Sequence, residues 1–158
     1  MRNKISIYYL LGLIVLVIFA SCTNNILYKQ YYKFEKISWN RFEFLNFEMP
    51  VEASSQEYDI YLSVRHLPEF AYRELEVNFT LFFPSGEMRT ADHVLKFIDN
   101  DGERLSECLG DFCDIDFLIR KGIVFNEQGI VKFEIENKNT RLETPGMMEV
   151  GIIVRKSE

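Results

Sequence analysis

Period-two alternation of apolar and polar positions recurs along this chain. In "YDIYLSVRH", Tyr58, Ile60, Leu62 and Val64 fall on one face and Asp59, Ser63 and Arg65 on the other. "LEVNFTLFF" places Leu75, Val77, Phe79, Leu81 and Phe83 against Glu76, Asn78 and Thr80, and "IVKFEIEN" sets Val131, Phe133 and Ile135 against Lys132, Glu134 and Glu136. Such alternation predicts strands with one buried face. "RFEFLNFEM", "VGIIVRK" and "HVLKFID" read as further strands, and "DIDFLIRKGIVF" as one or two short ones. "KQYYKFEK" fits a strand or an extended tether equally well.

Turn chemistry separates these runs at Pro84-Ser85-Gly86, Asn100-Asp101-Gly102, Gln128-Gly129 and Thr144-Pro145-Gly146. No long helical period appears after the first residues. Helix is expected at most as a single turn near Ser106–Leu109 or Met147. Many short antiparallel strands build a sandwich or barrel. The expected fold is all-β, an antiparallel two-sheet β-sandwich of about seven or eight strands.

The first residues follow a different pattern. Arg2 and Lys4 precede an apolar run from Ile5 to Ala20, interrupted by Ser6 and Gly12. The run is short for a membrane span, which needs about 20 residues. It suits a signal-peptide core. Phe19-Ala20-Ser21-Cys22 looks like the box of a bacterial lipoprotein signal. The Cys22 thiol would take a diacylglycerol, and two or three acyl chains anchor stably where one does not. An uncleaved helix with an incidental cysteine is the plainer alternative. The expected division is 1–21 signal peptide, 22–34 lipid anchor with tether or first strand, and 35–158 sandwich domain. Thr23-Asn24-Asn25 lacks both an aspartate beside Cys22 and an acidic export cluster. By likeness to known sorting patterns, that points to the periplasmic face of the outer membrane.

Charge and composition narrow the partners. The chain has 18 basic and 24 acidic residues, a net charge of −6. Losing Arg2 and Lys4 with residues 1–21 leaves 16 against 24, or −8. An acidic domain repels nucleic acid, so none is expected as a partner. Cys108 and Cys113 remain once Cys22 is set aside. In an oxidising compartment they can form a disulfide; two free thiols are the alternative.

Candidate chemistry is sparse. "DNDGE" at 99–103 lacks two of the four side-chain ligands of a calcium loop and reads as a β-turn. Asp111, Asp114 and Asp116 could serve hydrolysis only if two converged in a cleft, and a solvated face explains them more simply. His66 and His93 stand near no nucleophile motif. No cofactor or metal set is indicated. Trp39, Phe70 and Tyr72 are the candidates for contact with a glycan or partner, weighed against a core role for Trp39.

Taken together, the pattern resembles the gliding-motility lipoprotein family GldH of Bacteroidota. The resemblance rests on the lipobox, the aromatic start "LYKQYYKF", and Trp39 before the first strand. It extends through "YDIYLSVRH", "LEVNFTLFF", Pro84-Ser85-Gly86, "DNDGERLSECLGD", "FNEQG" and "LETPGMMEVGI". The chain departs from the family at Cys108, where glycine is frequent, and at Glu103-Arg104, where an aromatic is usual. The resemblance implies a non-enzymatic lipoprotein, held to the membrane through Cys22, with envelope proteins of the gliding or type IX secretion apparatus as partners. It implies no catalytic residues.

Overall fold

The computed structural model describes residues 25–158. Cys22 and the expected signal peptide lie outside the described residues. Eleven strands form in chain order: β1 (Ile26–Lys33), β2 (Ser38–Asn40), β3 (Leu45–Val51), β4 (Glu57–His66), β5 (Glu74–Phe82), β6 (Met88–Lys96), β7 (Glu107–Leu109), β8 (Phe112–Val124), β9 (Gly129–Asn137), β10 (Glu143–Pro145) and β11 (Met147–Lys156). Eight of these have seven residues or more; β2, β7 and β10 have three each. The expected seven or eight strands are therefore the long ones. The two positions considered for a helical turn are strands instead. Cys108 and Leu109 pair with β8, and Met147 pairs with His66 of β4, so their backbone groups are taken by ladders.

A five-stranded sheet runs β1-β11-β4-β8-β7 and a four-stranded sheet runs β3-β9-β5-β6, all antiparallel. A two-stranded ribbon joins β10 to β2. Among the eight long strands taken in chain order, one sheet holds the first, eighth, third and sixth. The other holds the second, seventh, fourth and fifth. That interleaving is the jelly-roll form of the sandwich. "KQYYKFEK" contributes to β1, an edge strand of the larger sheet, rather than to a loose tether.

One core lies between the two sheets. Leu75, Val77, Phe79 and Leu81 of β5 and Val131, Phe133 and Ile135 of β9 face Ile60, Leu62 and Val64 of β4 and Val150, Ile152 and Val154 of β11. Tyr28 stacks on Phe133 with centroids 6.0 Å apart, and Phe97 meets Phe117 edge-on at 5.3 Å. Each fully buried residue of this kind stabilises by about 1.5–3 kcal/mol relative to exposure.

Trp39 enters this core at 0% exposure, against Phe34. Its indole donates to the Glu43 carbonyl at 2.9 Å. Asn137 donates to the Trp39 carbonyl and to Thr144 Oγ1, which ties the ribbon to β9. Phe70 is also buried, at 4% exposure, and its ring is tilted 41° to that of half-buried Tyr72. For Trp39 this is the core role weighed against contact, and the burial of Phe70 argues against a contact surface there. Both rings are spent on the interior, where large aromatics remove the most area from water.

Candidate binding face

The outer face of the five-stranded sheet is where charged, aromatic and small residues converge. Strand register sets three rows across it. One row carries Lys33, Glu149, Arg65, Asp114 and Glu107. The next carries Tyr31, Gly151, Ser63 and Asp116, and the third Lys29, Ile153, Tyr61 and Leu118. The middle row has a glycine and a serine between two rows of large side chains. A shallow concavity of about 480 Å³ lies over the Ser63 end of that row, among Tyr31, Arg65, Asp116 and Arg155.

Gly151 is required by close approach. A Cβ there would lie 2.6 Å from the Gln30 carbonyl oxygen and 2.8 Å from Cε1 of Tyr31. The Tyr31 ring therefore occupies the space a side chain at 151 would take. It remains 38% exposed. An isolated glycine inside a strand marks such an approach of two backbones or of a ring. Ile153, in the adjacent row, is buried at 1% although it points away from the core.

Two arginines are fixed on this face. Arg65 donates to both carboxylate oxygens of Asp114, from Nε at 2.8 Å and Nη2 at 2.9 Å. Its guanidinium lies 4.1 Å from the centre of the Phe112 ring, and Glu149 stands 3.9 Å from Nη1. The hydrogen bond to Asp114 raises the Arg65 pKa further above its ordinary value. Arg155 donates to Asp116 at 2.6 Å and lies 4.8 Å from the centre of the Tyr61 ring. Each guanidinium is held in-plane by a carboxylate and face-on by a ring, an arrangement that lysine cannot reproduce. Asp114 and Asp116 share the strand face, as the sequence suggests, but each is committed to its own arginine. Asp111 sits apart, exposed in the turn between β7 and β8.

That turn closes one side of the face. Cys108 and Cys113 are cross-strand partners with their sulfurs at bonding distance and Cα atoms 3.9 Å apart. Leu109 pairs with Phe112, which leaves Gly110-Asp111 as a two-residue connection, and Gly110 takes φ +64°. Glycine at the first central position of so short a hairpin matches its backbone twist.

His66 has a structural role. It is fully buried between Phe70 and Phe97. One ring nitrogen lies 2.7 Å from the Leu67 carbonyl and the other 3.0 Å from Ser106 Oγ. A neutral ring that donates from Nδ1 and accepts the Ser106 proton satisfies both contacts. Burial holds its pKa below the ordinary value. His93 on β6 is pushed down by burial too, and then by the nearby Arg120 charge. In the 99–103 turn, Asp99 Oδ1 accepts from the amides of Asp101 and Glu103, so that carboxylate closes a turn. Among the described residues, no three His, Cys, Asp or Glu side chains gather as a metal set.

Of the face residues, Asp114 and Asp116 stood out in the sequence as candidates. Tyr31 belongs to an aromatic run that could pack on the sandwich edge or meet a partner, and Arg65, Gly151 and Arg155 did not stand out. The one local signal is Gly151 within "VGIIV", a glycine breaking a β-branched run.

Comparison with known proteins follows the same extent of chain. A family model described as GldH lipoprotein matches residues 26–154. A protein of Christiangramia forsetii (strain DSM 17595 / CGMCC 1.15422 / KT0803), described as a gliding motility lipoprotein GldH homolog, is 25% identical over 165 residues, covering 100% of this chain and 99% of the relative. Among solved structures, the infectious bursal disease virus Gx strain is 11% identical with a TM-score of 0.34; the match covers 82% of this chain and only 33% of that one. TmCBM61 in complex with beta-1,4-galactotriose is 11% identical with a TM-score of 0.33, covering 82% and 88%. Likeness at those TM-scores carries no argument for this chain.

Proposed function

This chain belongs to the GldH lipoprotein family, and from that premise we propose that it is a non-enzymatic lipoprotein anchored by lipid on Cys22. It sits on the periplasmic face of the outer membrane and supports the gliding-motility or type IX secretion apparatus through contacts with envelope proteins. The observation that carries this reading is the extent of the family match. It begins four positions after Cys22 and runs through nearly all of β11.

The fold supports a role in holding and positioning. Four residues of chain span at most about 14 Å, so lipid on Cys22 would keep the β1 edge of the larger sheet close to the bilayer. The Ser106–His66 pair is sealed in the core with both imidazole nitrogens occupied, and Asp114 and Asp116 are neutralised by arginines. Neither group is set up for proton transfer to a bound substrate. The Cys108–Cys113 bridge would pin the β7–β8 hairpin in an oxidising compartment and resist alkylation until a reductant is added.

Intact mass of the membrane-extracted protein, paired with a Cys22→Ala variant, tests the reading. The expected mass lacks residues 1–21 and gains two or three acyl chains. The variant is expected to leave the outer-membrane fraction and to fail to restore gliding or secretion in a deletion strain. A Cys22→Ala protein that still fractionates with the outer membrane and restores the phenotype would overturn the anchoring role.

A further inference from the structure

We propose that the concavity over Ser63, beside the Tyr31 ring, is a binding site for a neutral saccharide, with Tyr31 as its stacking platform. The site does not depend on the anchoring reading above.

Charge selects against ionic ligands. The concavity is lined by three cations, Lys29, Arg65 and Arg155, and three carboxylates, Glu107, Asp114 and Asp116. The balance is zero in a chain whose net charge is −6. Neither an anion nor a cation meets an excess of opposite charge. A hydroxyl-rich neutral molecule does find partners, because a hydroxyl donates and accepts. Each Arg–Asp pair presents donor and acceptor atoms side by side. Both guanidinium planes are fixed in the free protein by a carboxylate and a ring, so little side-chain freedom is lost on binding.

Shape and surface agree with that ligand. The volume, about 480 Å³, lies within the roughly 300–1,000 Å³ usual for small-molecule sites. The exposed part of the Tyr31 ring offers an apolar platform with a polar tip, suited to the C–H face of a sugar ring. The Lys29 ammonium rests 5.3 Å from that ring's centre and must swing aside. Leu105 and Glu107 bound the site on the side held by the Cys108–Cys113 hairpin.

An extended peptide fits less well. Peptide recognition by a sheet uses free main-chain groups at an edge. The floor of this concavity is made by β11, β4 and β8, and the first two have backbones paired on both sides. Over β11 and β4 only side chains are available.

The test is saturation-transfer NMR on the full-length protein in detergent micelles, with cellotetraose and chitotetraose as probes. Saturable transfer to the ring protons of at least one sugar is expected. Tyr31→Ala and Asp114→Asn should each weaken it by about tenfold, a difference of about 1.4 kcal/mol. Tyr31→Phe keeps the ring over Gly151 and should retain binding, which separates the platform from any effect on folding. Phe42→Ala, at an exposed aromatic outside the site, should change nothing. No saturable transfer from either sugar up to about 10 mM would overturn the proposal. So would transfer that survives Tyr31→Ala, or saturable binding of an unstructured peptide in place of both sugars.

Discussion

The outer faces of the two sheets are built on different rules. On the four-stranded sheet, β3 alternates buried and exposed residues without exception from Leu45 to Val51, and β9 nearly so. Its outward side chains include Lys132, Glu134, Glu48, Val94 and Ile130, and Asn78, Thr80, Thr90 and Asp92 are hydrogen-bonded among themselves, Thr80 alone of these being buried. On the five-stranded sheet, alternation fails in the two central strands. Asp59 and Ser63 of β4 and Ile153 of β11 are buried although they point outward. Asp59 accepts from the Gly122 amide and the Ser157 hydroxyl, while Ser63 and Ile153 lie beside Tyr31, Arg65 and Arg155. The first face is solvated and asks little of its residues. The second is a packed layer in its own right, and a feature such as Gly151 exists only because something lies over it.

The largest expected separation comes from truncation. Ile153→Ala should cost about 2–4 kcal/mol, as in a core, although the residue is outside the main core. Lys132→Ala, outward on β9, should stay within about 0.5 kcal/mol. Chemical denaturation of both variants checks this, and equal costs would erase the distinction. Next comes Gly151→Val, which drives a side chain into the Tyr31 ring and the Gln30 carbonyl and should lose about 1–3 kcal/mol. Glu134→Val on the other face should be near neutral.

Ion pairs give a finer contrast. The Arg65–Asp114 pair has two hydrogen bonds and side chains 35% and 46% exposed; Lys132–Glu48 has a single 2.9 Å contact at 60% and 62%. After allowance for solvent screening, double-mutant cycles should give about 0.5–1 kcal/mol for the first and about 0–0.5 for the second. The coupling in the second should fall faster with added salt.

The smallest effect is in pH dependence. Each sheet contributes one histidine with a pKa below the ordinary 6.5, His66 through burial and His93 through burial and then Arg120. The unfolded chain takes up these protons first, so stability is full above about pH 6.5 and falls as pH drops toward the folded values. His66→Gln and His93→Gln should each flatten the slope between pH 7 and 5 in urea titrations, whatever their offset at pH 7. A slope unchanged in both would place the protons elsewhere.

These same rules decide what a reader of the sequence can see. β3, β5 and β9 announce themselves because solvent on one side enforces period two, and Pro84-Ser85-Gly86 marks the β5–β6 turn. β8 reads as broken but is one strand of 13 residues. An extra residue, Ile119, bulges between the partners of Ile60 and Tyr61 and turns Arg120 to the face of Ile60, which scrambles the pattern. β2, β7 and β10 are too short to show any period. Trp39 and Phe70 can be read as core or contact residues in one dimension, because their burial depends on strands distant in sequence. The candidate face is the least legible part. Tyr31, Arg65, Asp114 and Gly151 are neighbours only through the register of four strands, and register is a property of pairing, not of any one segment.

The position of β11 has a consequence for how the molecule is made. The last strand of the chain lies between the first and the fourth, and neither β1 nor the β4 edge it covers has another neighbour there. A chain delivered across a membrane N-terminus first would carry its anchor, its edge strand and most of its core residues to the far side before the closing strand arrived. In such a chain the larger sheet would close only after β11 had crossed, and that closure joins segments far apart in sequence, which makes it a slow step.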